Sequence, residues 1–235
     1  MKPSFLLFIS LFLFNNCNSQ HADTYNHQGV EKAQSGDLQS AIADFNKAIS
    51  IDPNFKEAYS NRGYAYASLN NYQAAISDYN KFVELDPGNK DIYFQRADLK
   101  ARIGDFQGAI GDYTKFIDLN PNDKVGYYDR AASKKQLKDY LGAISDYTKA
   151  ISLDRNFKEA YNNRATLKSK LQDYKGAIDD YTKFIEIDSS NQEVYFHRAL
   201  VRAQTKDKKG SCLDLFRAGA LGKIEAYDSL QKYCK

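Results

Sequence analysis

The 235-residue chain carries 33 basic and 30 acidic residues, for a net charge of +3. That near balance argues against nucleic-acid binding, which calls for a basic stripe and a higher isoelectric point. Tyr is abundant (18), Trp is absent and Pro is scarce (4). No strand-like alternation persists beyond a few residues, so an all-α protein is expected.

The N-terminus reads as an address. Lys2 precedes an apolar run from Phe5 to Phe14, too short to span a bilayer as a helix and suited to a secretory signal. Residues 1–19 are therefore set apart. Phe12-Leu13-Phe14-Asn15-Asn16-Cys17 resembles a loose bacterial lipobox, with Cys17 as the acylated residue, although Asn16 departs from the small residue usual there. The other reading is ordinary cleavage after Ser19. Either way the expected location is extracytoplasmic, in the periplasm or at the outer membrane, with possible attachment by an N-terminal lipid.

From Ala22 onward the chain repeats every 34 residues, in copies 22–55, 56–89, 90–123, 124–157, 158–191 and 192–225. The second copy shows the plan. Tyr59, Gly63, Tyr66 and Ala67 have helical spacing, Asn70-Asn71 interrupts, and Ala75, Ile76, Tyr79, Phe82 and Val83 form a second face. Pro87-Gly88 then stops it. One such hairpin cannot bury its apolar side alone, but stacked copies can. The fourth and fifth copies replace the terminal Pro with Arg155 and Ser189, and the sixth is the most degenerate, as expected of an end repeat.

Tyr59, Arg62-Gly63, Tyr66, Ala75, Tyr79 and Pro87 resemble the tetratricopeptide repeat (TPR) signature, with Tyr for its Trp and Arg62 for its Leu. The resemblance covers nearly all of the chain after the leader. It implies a right-handed superhelical solenoid of six helix-turn-helix units, completed by a C-terminal capping helix at 226–235.

Several columns have mechanical readings. Gly29, Gly63, Ala97, Ala131, Ala165 and Ala199 allow close helix approach. Asp37, Asn71, Asp105, Asp139, Asp173 and Asp207 are placed to cap each second helix. Ile42, Ile76, Ile110, Ile144 and Ile178 are expected in the core. Arg62, Arg96, Arg130, Arg164 and Arg198 recur with Asp78, Asp112, Asp146, Asp180 and Asp214, a fork–carboxylate pair suited to setting packing geometry. Lys47, Lys81, Lys115, Lys149, Lys183 and Arg217 read as a solvated stripe.

After Gly222 comes a helical pattern at 224–233, with Ala226, Leu230 and Tyr233 inward and Asp228, Gln231 and Lys232 outward. Cys212 falls in the Ile column and Cys234 ends the cap, with the turn near Gly222–Lys223 almost midway. Folding the two helices antiparallel brings the cysteines level, so a Cys212–Cys234 disulfide is expected in an oxidising compartment.

In the TPR fold the first helices line the inner groove. The resemblance therefore implies partner contacts at Tyr64, Phe94, Asp98, Arg102, Tyr128, Lys135, Asn162, Lys170 and Phe196. The alternative is that the aromatics among them pack between helices. A clamp for a chaperone C-terminal tail is not expected: Asn61 fits one of its places, but Asn26, Val30, Asp91 and Gln95 stand where clamp residues belong. No phosphate loop, H-E-x-x-H or G-x-S-x-G is present, so no catalytic residue, cofactor or metal is expected. The chain reads as a non-catalytic scaffold that holds a protein or peptide segment. The alternative is an accessory subunit of an envelope enzyme or assembly complex.

Overall fold

A computed structural model describes residues 20–234. The leader, Cys17 and its cleavage site lie outside them, as does the Tyr233 side chain. Among the described residues there are thirteen helices and no strand. They fall into two compact units divided after Asn120. The first holds α1 (20–34), α2 (Leu38–Ile51), α3 (Lys56–Ser68), α4 (Tyr72–Leu85), α5 (Lys90–Arg102) and α6 (Phe106–Leu119). The second holds α7 (Lys124–Gln136), α8 (Tyr140–Leu153), α9 (Lys158–Lys170), α10 (Tyr174–Ile187), α11 (Gln192–Gln204), α12 (Lys208–Ala220) and α13 (Glu225–Tyr233). The first described helix starts before Ala22, and the capping helix starts one residue before 226.

One residue both closes the first helix of each pair and opens the second. The backbone N–H of Asp37, Asn71, Asp105, Asp139, Asp173 and Asp207 donates back to Lys32, Tyr66, Lys100, Lys134, Lys168 and Arg202. The same residue's carboxylate or amide oxygen accepts from the third N–H of the next helix. This closure forces the preceding residue into the left-handed region. Gly36 and Gly104 adopt it freely, but Asn70, Lys138, Gln172 and Lys206 hold φ between 60° and 64°. A side chain there is strained. Gln172→Gly is accordingly expected to stabilise the chain by about 0.5–1 kcal/mol. A urea midpoint that stays level or falls would contradict this.

The core is built on the column of Ala41, Ala75, Ala109, Ala143 and Ala177, all fully buried, with Ser211 taking the last place. Phe45, Tyr79, Tyr113, Tyr147, Tyr181 and Leu215 form the adjacent buried wall. The neighbouring Ile column is less deep than expected. Ile42 and Ile76 are buried, but Ile110, Ile144 and Ile178 are half-buried, because this position lies on the flank of the apolar stripe. The small column meets the wall directly: a Cβ on Gly63 would stand 2.7 Å from the Tyr79 ring.

The two departures from the TPR signature explain each other. Each Arg lies over the ring of the Tyr three residues before it, with the Arg62 and Arg164 guanidinium carbons 5.6 Å from the Tyr59 and Tyr161 ring centres. Its Nε and one terminal nitrogen grip both oxygens of the buried Asp sixteen residues on, at 2.8 and 2.6 Å for Arg164–Asp180. The other terminal nitrogen reaches back to the preceding repeat. Arg96 donates to Asn80 at 2.9 Å, Arg164 to Thr148 at 2.9 Å and Arg198 to Thr182 at 2.9 Å. One planar side chain thus joins its own two helices to the helix before them, which a Lys could not do.

At the C-terminal end α13 packs on α12. Ala226 is fully buried and Leu230 partly so, while Asp228, Gln231 and Lys232 face solvent. The sulfurs of Cys212 and Cys234 are bonded, with their Cα atoms 5.8 Å apart.

Candidate functional site

In the first unit, the first-helix faces of α1, α3 and α5 enclose a cavity of about 390 Å³. Asn26 comes from α1, Ser60 and Asn61 from α3, and Asp91 and Gln95 from α5. Repeat spacing is what brings them together: each occupies the second, fifth or sixth place of its repeat copy. Asn61 Nδ2 donates to Asn26 Oδ1 at 3.0 Å. That leaves a carbonyl oxygen on Asn61 and an N–H pair on Asn26, and the Gln95 amide stands exposed beside them. An alternation of free donors and acceptors along a groove is what an extended main chain requires.

The charge in this cavity is acidic. Lys56 lines it, but its ammonium is committed to Asp86 at 2.7 Å. The hydrogen bond holds the Lys56 ammonium above its ordinary value and the Asp86 carboxyl below its own. Among the described residues, neither Glu57 nor Asp91, both exposed, is hydrogen-bonded to a cation, although Glu57 adds to the upward shift of Lys56. The site therefore attracts basic groups, which agrees with the mismatches that argue against a carboxylate-tail clamp.

The predicted groove residues divide into two kinds. Tyr64 projects from α3 and is 62% exposed. Asp98 and Arg102 on α5 pair with each other at 2.8 Å. Lys170 lies over the Tyr140 ring, 4.5 Å from its centre, and Lys135 is half-buried on α7. The other aromatics pack between helices. Phe94 sits against Tyr113 and Phe116, with ring centres 5.7 and 5.0 Å away. Tyr128 packs on Tyr147 and Phe157 and accepts a 2.9 Å bond from Asn163; burial pushes its hydroxyl upward. Phe196 joins the cluster under the cap, with Lys223 over its ring. His197 lies beside Phe196 and Tyr181. Asn162 turns a buried side-chain oxygen inward, where no described group bonds to it.

Models of the tetratricopeptide repeat match residues 57–89, 90–123, 126–157 and 158–191, and a TPR-repeat model matches 29–70. Among solved structures, the C-terminal part of a TPR repeat-containing protein from Cytophaga hutchinsonii is 22% identical, with a TM-score of 0.78, covering 93% of this chain and 92% of that one. MamA is 25% identical, with a TM-score of 0.69, covering 72% of this chain and 93% of that one. YrrB, described as a TPR protein with an unusual peptide-binding site, is 17% identical, with a TM-score of 0.69 and 80% and 97% coverage. A comparison with curated protein sequences finds no match. The chain belongs to the tetratricopeptide repeat family, an all-α solenoid class whose members serve as protein-interaction scaffolds.

Proposed function

We propose that this chain is a non-catalytic scaffold that holds an extended partner segment across the first-helix face of α1, α3 and α5. The observation that carries the reading is the cavity in which the amides of Asn26, Asn61 and Gln95 stand beside the uncommitted carboxylates of Glu57 and Asp91. The amides serve the segment's main chain. The carboxylates select a Lys or Arg side chain on it. The description of YrrB as peptide-binding supports the same mode of use. Tyr64, at the exposed edge of α3, supplies apolar contact area.

The proposal extends to location. The leader and the lipobox-like run ending at Cys17 support an extracytoplasmic, lipid-anchored form, and a bonded Cys212–Cys234 pair suits an oxidising compartment. No helix of the described residues is long and apolar enough to cross a membrane.

A peptide library selected on the purified chain tests the site. Binders are expected to carry Lys or Arg. A Glu57→Lys, Asp91→Lys double variant, folded by circular dichroism, is expected to bind them at least about 10-fold more weakly. Unchanged affinity would refute the assignment.

A further inference from the structure

A larger cavity lies elsewhere, in the second unit. It measures about 640 Å³ and is enclosed by the C-terminal turns of α8 and α10, the start of α9 and the α8–α9 turn. The repeat changes at this place. In three copies a Pro stands at the turn, and the column Tyr donates its hydroxyl to that Pro carbonyl: Tyr59 to Pro53 at 3.2 Å, Tyr93 to Pro87 at 3.3 Å and Tyr127 to Pro121 at 3.2 Å. In the fourth copy Arg155 replaces the Pro. Tyr161, only 9% exposed, lines the cavity, and its hydroxyl makes no such bond among the described residues.

Elimination shows what the cavity has left to offer. Arg164 is spent on Asp180 and Thr148. Lys183 is held by Glu186 at 2.7 Å. The hydroxyls of Thr148 and Ser152 donate to the backbone of their own helix. Among the described residues, the uncommitted groups lining it are the Arg155 guanidinium, the Tyr161 hydroxyl and the Asn156 side-chain amide. Ile151, Ile187 and the Tyr161 ring supply an apolar wall.

We infer that this cavity is a second docking site, separate from the α1–α3–α5 face, and that it takes a single carboxylate adjoining an apolar side chain. Arg155 forks the carboxylate, and Tyr161 O–H donates to one of its oxygens. One free cation matches one negative charge, whereas a phosphate monoester carries nearly two. The carboxylate is the C-terminus of a partner ending in an apolar residue, whose last side chain and carboxylate leave one Cα and so meet the apolar wall and Arg155 together.

Fluorescence anisotropy tests this on the full described chain. The probes are a short fluorescein-labelled Gly/Ser peptide ending in Leu-Leu with a free carboxylate, its C-terminal amide, and an amidated peptide with an internal Glu-Leu. Saturable binding of the first alone is the expected result; equal binding of the third would place an acidic side chain there and overturn the C-terminal assignment. Arg155→Pro removes the cation and restores the turn used by three sister repeats. Asp154, at φ −140° and ψ 105°, already has the extended backbone a following Pro needs. Arg155→Pro is expected to melt no lower than the parent and to weaken the bound probe about 10-fold or more, with Tyr161→Phe weakening it by about 3-fold or more. The Glu57→Lys, Asp91→Lys variant should leave that binding unchanged. The inference is also overturned if the first probe does not bind, or if its binding is indifferent to both Arg155→Pro and Tyr161→Phe.

Discussion

Asp180→Ala is expected to lower the thermal midpoint by about 6–12 °C, the equivalent of about 3 kcal/mol. The carboxylate is 3% exposed and accepts from Arg164 Nε, from a second Arg164 nitrogen and from Lys168 Nζ at 2.9 Å. Removing it leaves two cations, 13% and 20% exposed, facing each other without a counter-charge. The reverse deletion is milder. Arg164→Ala leaves Asp180 its bond to Lys168, so a loss of about 1–2 kcal/mol is expected. Replacing the triad together, as Arg164→Met, Lys168→Met and Asp180→Leu, should cost less than Asp180→Ala, because no buried charge is stranded. Thermal melts of the three variants give the order. An Asp180→Ala midpoint within 2 °C or so of the parent would mean that the fork does not hold the repeat together.

The second large effect is at the C-terminal end. Breaking the Cys212–Cys234 bond, by reduction or by Cys212→Ser with Cys234→Ser, is expected to cost about 3 kcal/mol. The bond closes a separation of 22 residues, and α13 is a short helix, nine residues long. Ala226 and Leu230 bury little area by themselves, so α13 should fray before the repeats do. Hydrogen exchange after reduction should quicken in α13, while α9 and α10 stay protected. If reduction leaves α13 exchange unchanged, the apolar contacts alone hold the cap.

Much of this architecture was legible because the repeat writes every residue in several copies. The capping Asp column, the Arg–Asp pairing, the small column and the level cysteines all follow from spacing. What spacing does not carry is which neighbour covers a side chain. Phe94, Tyr128 and Phe196 share a helix face with Tyr64's column neighbours, but the following helix lies over them, and they pack. The second cation on Asp112, Asp146, Asp180 and Asp214, at Lys100, Lys134, Lys168 and Arg202, resembles an ordinary surface Lys or Arg one turn after the column Arg. Asn26, Asp91 and Gln95 stood out only as misfits to a different clamp, since an amide ladder shows itself only when adjacent first helices are set side by side. The left-handed Lys138, Gln172 and Lys206 were hidden because Gly marks that place in only two copies.

The most direct measurement of the binding assignment is hydrogen exchange of the chain with and without a selected basic peptide. Slowed exchange confined to α1, α3 and α5 is the expected result. Protection confined to α2, α4 and α6, or none at saturating peptide, would contradict it.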